Sequence, residues 1–210
     1  MTYPFADLTF TPSVQAAQAR NGSREFCEAM SRNDRNFRLG PNEAAFLADR
    51  DHFYMATVSE TGWPYVQHRG GPPGFIQTLD ELRFAFPDFR GNRQYISIGN
   101  IASDNRAAFF FIDYARRSRL KALTRIRIAG VDEEPEIIRR FSALGYKAAV
   151  ERVVIAEIAA LDWNCPQHIT PRFPAGEIAR AVENLTSEIE ALRAENAALA
   201  AKVRFLEQGA

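Results

Sequence analysis

Apolar and polar residues alternate along four short runs, 53–59, 64–69, 75–79 and 82–86, with turn formers between them. The connections at 59–62 and 78–81 suit tight turns. Strands this closely spaced predict an antiparallel meander, since βαβ units need a helix between successive strands. A turn and then a helix or irregular crossover occupy 90–101, and two long strands follow at 107–114 and 120–128, joined by Ala115-Arg116-Arg117-Ser118. Residues 150–163 read as a closing strand. Helical patterns cover 13–20 and 24–31, broken at Asn21-Gly22, with Ser23 placed to cap the second. A third, 43–50, opens at Pro41 and Asn42 and turns Ala44, Phe46 and Leu47 inward. A fourth, 135–144, is amphipathic through Ile137, Ile138 and Phe141. Residues 1–12, punctuated by Pro4 and Pro12, read as irregular.

The clearest period is in the tail. Ile178, Leu185, Leu192, Leu199 and Leu206 recur every seven residues, and Val182, Ile189, Asn196 and Val203 fall four residues after the first four of them. β-Branched residues at a and leucine at d favour a parallel two-stranded coiled coil, with Asn196 at a specifying register and Glu188 at g facing Arg193 at e of the partner. The alternative is an amphipathic helix lying on its own domain. No basic helical region precedes the heptads, which argues against a DNA-binding zipper.

Composition narrows the class. The 210 residues carry 26 basic and 26 acidic side chains, a formal net charge of zero. A nucleic-acid or membrane-surface binder usually has a basic excess, so neither partner is expected. No apolar run approaches the ~20 residues that span a bilayer, and the N-terminus lacks the pattern of a signal peptide. Cys27 and Cys165 are far apart and have no metal or redox spacing, which reads as a reduced, cytoplasmic protein. Sixteen phenylalanines predict a packed β core, or an aromatic-lined pocket.

Three clusters carry candidate chemistry. In Gln67-His68-Arg69-Gly70-Gly71, an arginine at a strand end beside glycines suits a phosphate, because guanidinium gives two parallel charge-assisted hydrogen bonds. A surface arginine in a polar hairpin is the commoner reading of the same residues. In Arg90-Gly91-Asn92-Arg93-Gln94, with Ser97 and Asn100 beyond, a turn enters a helix and can form an anion site; a solvated turn with a helix cap is the plain alternative. It matches neither a dinucleotide fingerprint nor a P-loop. In Trp163-Asn164-Cys165-Pro166-Gln167-His168-Ile169-Thr170-Pro171-Arg172, an indole can lie on a flat ring and Arg172 can hold an anion. A Cys165–His168 nucleophile lacks an orienting third group. His52, His68 and His168 are scattered, and no metal site is expected.

Together these segments resemble the pyridoxamine-phosphate-oxidase-like family of FMN-binding split β-barrels, over roughly residues 45–172. Pro64-x-Val66-x-x-Arg69 resembles the strand whose terminal basic residue binds FMN phosphate. Phe84-Ala85-Phe86 with Arg90-Gly91-Asn92-Arg93 is similar to the next strand and phosphate turn. Asp104-Asn105-Arg106-Ala107-Ala108-Phe109-Phe110-Phe111 is similar to the following helix end and long strand, and Trp163 with Arg172 to the C-terminal pair that reaches flavin and substrate. The resemblance implies a mainly β (α+β) fold with an antiparallel split β-barrel over 51–173; the N-terminal helices over 1–50, expected to pack on it, and the C-terminal coiled-coil helix over 174–210 are additions to the family pattern, read from the residues themselves.

It further implies an FMN-dependent oxidoreductase acting on a small molecule, homodimeric with FMN sites at the interface. Arg69, Asn92, Arg93, Gln94 and Ser97 are then expected at phosphate and ribityl, and Val66, Gln67 and His68 along the ring. Trp163, Gln167, His168 and Arg172 are expected toward the ring edge and an anionic substrate. His68 and His168 are the weak proton-transfer candidates. The family's Arg-x-His is replaced here by Gln167-His168-Ile169-Thr170-Pro171, so FMN transfers better than the substrate. The rivals are a flavin or haem binding or sensor module with a coiled-coil partner tail, and a scaffold for the zipper alone. The coil could also join barrel dimers into tetramers through residues 178–206.

Overall fold

The structure, a computed structural model, describes residues 3–32, 38–164 and 166–208. Cys165 lies outside them. Contacts divide the chain into two compact units, one of residues up to 113 together with 117–168, the other of 114–116 together with 169 onward.

The first unit is built on seven strands: β1 (His52–Val58), β2 (Pro64–Gly70), β3 (Gln77–Thr78), β4 (Arg83–Phe89), β5 (Arg106–Asp113), β6 (Ser118–Ala129) and β7 (Val150–Asn164). They form one sheet in the order β2-β1-β5-β6-β7-β4-β3. Every pair is antiparallel. The sheet curls so that β1 packs on β4, with the Phe53 and Phe86 ring centroids 4.9 Å apart. Its two ends are not joined by a ladder, which is the split of the barrel; side chains bridge that split instead. Phe53, Phe75, Phe84, Phe86, Phe109 and Phe111 are all fully buried inside the curl. This is the core role expected for most phenylalanines. The β1–β2 hairpin turns at Gly62, whose φ of +82° is left-handed and suits glycine. Past β2, Gly71 lets the loop close on the core, since a Cβ there would sit 2.7 Å from the Phe75 ring.

The helices of this unit are α1 (Pro4–Thr9), α2 (Pro12–Arg20), α3 (Arg24–Ser31), α4 (Pro41–Ala48), α5 (Ile96–Ser103) and α6 (Pro135–Ser142). The irregular reading of residues 1–12 is corrected: Pro4 does not interrupt a chain but starts α1, where its missing N–H has no partner to lose. Tyr3 and Ala6 are buried there, and the Tyr3 hydroxyl donates to Asp162 on β7. Ser23 makes no side-chain cap; its hydroxyl donates back to the Gln18 carbonyl. α4 begins with Pro41, and Glu43 accepts from the Gly40 N–H at 3.1 Å.

At the junction of α5 and β5, Asp104 takes both the Arg106 guanidinium and the Arg106 N–H. The side-chain hydrogen bond from Arg106 holds the Asp104 carboxyl down at about 2, from an ordinary 3.8. Because the folded value is the lower one, this contribution to stability is present above about pH 4 and is lost as pH falls through about 2. In Arg106→Ala, an NMR titration of the Asp104 carboxyl is expected to move its midpoint up toward 3.8. A midpoint unmoved by the substitution contradicts the pairing.

The second unit is dominated by α7 (Ala175–Gln208). No described helix is long and apolar enough to cross a membrane.

Candidate functional site: a cationic cleft over the split of the barrel

The polar end of β2 faces a cleft of about 240 Å³, bounded also by the end of β4, the turn after it and the start of α5. Its walls include Gln67, His68, Arg69, Asn92, Arg93, Gln94 and Ser97. Seven of the ten expected cofactor residues are therefore brought together from two distant segments.

Strand pairing explains how Arg69 gets there. It lies one residue from the end of β2, opposite Phe53 in the register, and the curl carries it over β4. Its Nη1 donates to Asp88 Oδ1 at 2.6 Å, and Asp88 Oδ2 accepts from Arg152 Nη1 on β7 at 2.7 Å. Asp88 is almost fully buried. One carboxylate thus joins β2, β4 and β7 across the split. A second donor of the same guanidinium, Arg69 Nε, is buried and has no hydrogen-bond partner among the described residues. An unpaired buried donor is costly and points to an acceptor that belongs there.

The turn after β4 supplies the opposite wall. Arg93 and Tyr95 both have positive φ, 60° and 53°, a conformation uncommon for side-chain-bearing residues. Asn92 holds the turn by accepting from the Gln94 N–H at 3.1 Å. Tyr95 is the N-cap of α5 but provides no side-chain cap, so the first N–H groups of α5 lack one from that residue. Ile96, Ser97 and Ile98, which begin the helix, line the cleft. Ser97 Oγ donates to Gln67 Oε1 at 2.8 Å and Asn100 Nδ2 to Thr57 Oγ1 at 3.0 Å. Those two bonds fix the helix start against β2 and β1.

The charge balance favours an anion. Arg90 Nε donates to Glu151 at 3.0 Å, and this bond, with the Tyr95 hydroxyl and Arg152 adding to it, keeps the Glu151 carboxyl below its usual range against partial burial. Burial works against the charge on Arg152, but the Asp88 hydrogen bond and Tyr95 outweigh it and raise its pKa. Its guanidinium lies 4.8 Å from the Tyr95 ring centroid. Arg93 is also raised, chiefly by its hydrogen bond with Tyr95, and no carboxylate hydrogen-bonds to it among the described residues. A helix N-terminus, an unsatisfied Arg69 Nε and Arg93 around one cleft suit a phosphate oxygen set.

The remaining expected residues lie elsewhere. Val66 is on β2 but lines a separate apolar cleft with Tyr54, Ala56 and Phe110. Trp163 is at the end of β7, where its Nε1 donates to Glu43 at 2.8 Å and its ring meets Phe46 edge-on at 4.8 Å. Gln167 and His168 occupy an exposed turn, His168 with φ of 62°. Arg172 belongs to the second unit, its guanidinium 4.9 Å from the Tyr114 ring centroid. Among the described residues no His, Cys, Asp and Glu cluster is placed to hold a metal.

Asp88, Tyr95, Glu151 and Arg152 are the site residues the sequence reading passed over. A signal existed for two of them. Asp88 follows Phe84-Ala85-Phe86-Pro87, and Arg152 precedes Val153-Val154-Ile155, so each is a charge set against a buried apolar run. Such a charge requires a partner.

An open antiparallel barrel, with a cleft lined by Arg69, Arg90 and Arg93 across its split, defines the class of protein. The family model for pyridoxamine 5'-phosphate oxidase matches residues 39–160. That is more than half of the chain, and the chain belongs to this family. No curated protein matches the sequence. Among solved structures, HupZ of Group A Streptococcus is similar with a TM-score of 0.48 and 17% identity, over 64% of this chain and 100% of HupZ. An FMN-binding protein from Syntrophomonas wolfei subsp. wolfei has a TM-score of 0.44 and 12% identity, over 70% and 97% of the two chains. A pyridoxinephosphate oxidase family protein from Clostridium acetobutylicum, related to general stress protein 26 of B. subtilis, has a TM-score of 0.41 and 13% identity, over 63% and 92%.

Proposed function

We propose that the cleft receives the phosphate of FMN and that the protein is a cytoplasmic flavin-dependent oxidoreductase acting on a small molecule. The observation that carries this is the buried Nε of Arg69, without a partner among the described residues, in one cleft with Arg93 and the start of α5. Membership of a family that generally binds flavin supports the same reading. The donor set fits: Arg69, Arg93 and the α5 amides would hold the phosphate, and Asn92, Gln94 and Ser97 offer neutral hydrogen bonds for the ribityl chain. Gln67 and His68 would then lie along the ring. Bound FMN supplies hydride and electron transfer; the protein binds it, orients it and sets its surroundings.

Members of the family are typically dimers. In a homodimer with FMN sites at the interface, Val66, Trp163 and Arg172 of a second copy can complete a site that one chain leaves open. On this reading Gln167, His168 and Arg172 meet the substrate. Residues 51–173 are the flavin-binding part, with 1–50 packed on it and 174–210 separate. The substitution of Gln167–Pro171 for Arg-x-His argues against pyridoxamine phosphate as that substrate.

Purified protein is expected to show flavin absorbance bands, to release a molecule of FMN mass on denaturation, and to bleach with NADH or NADPH. A yellow protein that neither nucleotide reduces supports the binding or sensor alternative. A colourless protein that takes up no added FMN contradicts the proposal.

A further inference from the structure

The second unit contains a surface that the flavin reading does not use. Ile178, Val182, Leu185, Ile189, Leu192, Leu199, Val203 and Leu206 of α7 are all about half exposed or more. With Asn196 between Leu192 and Leu199 they alternate at spacings of four and three residues and so lie on one seam of the helix. From Ile178 to Leu206 that seam is about 42 Å long at the ~1.5 Å rise of an α-helix. A continuous apolar stripe of this length marks an interaction surface, and a lone helix carrying it is marginal in water.

We infer that α7 pairs with α7 of a second copy as a parallel, two-stranded, in-register coiled coil. The occupant follows from the seam itself. Val182, Ile189 and Val203 are β-branched at a, and leucine fills d from Leu185 onward, the combination that selects two parallel strands. Asn196 is the one polar seam residue, at a. Its side-chain amide has both a donor and an acceptor, so an identical chain in register satisfies it, whereas an apolar partner leaves it unpaired. The flanks agree. In the parallel pair Glu188 at g meets Arg193 at e of the second copy, while Ala181 meets Thr186 and Glu195 meets Ala200. No like charges oppose one another at these positions. In an antiparallel pair overlapping the same seam, g faces g, and Glu188 comes opposite Glu195.

The test uses the full chain with Cys27→Ser and Cys165→Ser to remove native thiols. Ile178→Cys stands at one end of the seam and Ser187→Cys at position f on the outer face. Under mild oxidation Ile178→Cys is expected to form an interchain disulfide nearly completely, and Ser187→Cys hardly at all. Adding Leu192→Glu to Ile178→Cys is expected to abolish the cross-link, while FMN uptake stays unchanged. An antiparallel pair sets position 178 against Val203 at the far end of the partner's seam, and a helix docked on its own chain sets it against no second copy. Cross-linking of Ile178→Cys no greater than that of Ser187→Cys, or undiminished by Leu192→Glu, therefore overturns the inference. Because the readout is a disulfide and not a flavin signal, it fails independently of the proposed function.

Discussion

Arg50→Ala is expected to lower the unfolding free energy by roughly 3–5 kcal/mol, the range for removing one partner of a buried ion pair. Arg50 follows α4 and directs every guanidinium nitrogen inward. Nη2 donates to Asp113 at 2.8 Å, Nη1 to the Ile112 carbonyl at 3.2 Å, and Nε to the Phe46 carbonyl at 3.1 Å. The pair is about nine-tenths buried on both sides, and the group also lies 4.6 Å from the Phe46 ring centroid. Alanine removes this donor from the Asp113 carboxylate and from the Phe46 and Ile112 carbonyls. Lysine restores the charge but not the three-way fork, so Arg50→Lys is expected to recover little. Replacing both members, as in Arg50→Met with Asp113→Leu, removes the buried charge and is expected to cost much less than Arg50→Ala alone. Urea unfolding of the four proteins checks this. A double variant as unstable as Arg50→Ala contradicts the ion-pair account.

Asp88→Ala is the second large effect, about 3 kcal/mol by the same reasoning. It sits at the low end because Arg152 is partly exposed and keeps Glu151 at 3.3 Å and the Tyr95 ring. Arg69, in contrast, loses its charged partner among the described residues, while its Nε is already unsatisfied there. The substitution therefore acts on the fold and on the cleft together. Removing the carboxylate leaves more uncompensated positive charge at the mouth of the split, so added phosphate is expected to raise the melting temperature of Asp88→Ala more than that of the parent protein. Equal phosphate responses in the two proteins would place Arg69 outside the anion site. Asp88→Asn keeps an oxygen acceptor and is expected to fall between them.

What the sequence revealed, and what it hid, divides along physical lines. Strand alternation and turn residues located the seven strands to within a few positions; on β1 and β5 the core residues Phe53, Met55, Phe109 and Phe111 sit on one face of the pleat. The short spacings also pointed to antiparallel pairing. The heptads of α7 were visible for the same reason: periodicity is a local property of the chain. Pairings between distant strands were not local. That Arg69 meets Asp88, nineteen positions on, and that Arg152 arrives from β7, depend on the curl of the sheet, which no window of sequence encodes. α1 escapes the pattern because Pro4, elsewhere a helix breaker, stands at the first position of the helix, where it is at home. Within the site, Gln67 and Ser97 share a hydrogen bond thirty residues apart that only the assembled cleft displays. The flavin reading of Trp163 rests on its residue type and its spacing to Arg172; that its N–H donates to Glu43 is another contact only the fold displays.

The most direct test of the FMN-phosphate reading compares FMN with riboflavin, which differ by the phosphate alone, in a calorimetric or fluorescence titration of the same protein. A charge-assisted hydrogen bond contributes roughly 1.5–3 kcal/mol. FMN is therefore expected to bind at least about tenfold more tightly than riboflavin, and Arg69→Ala to close much of that gap. Equal affinity for the two, or a gap that survives Arg69→Ala unchanged, contradicts a phosphate held over the split of the barrel.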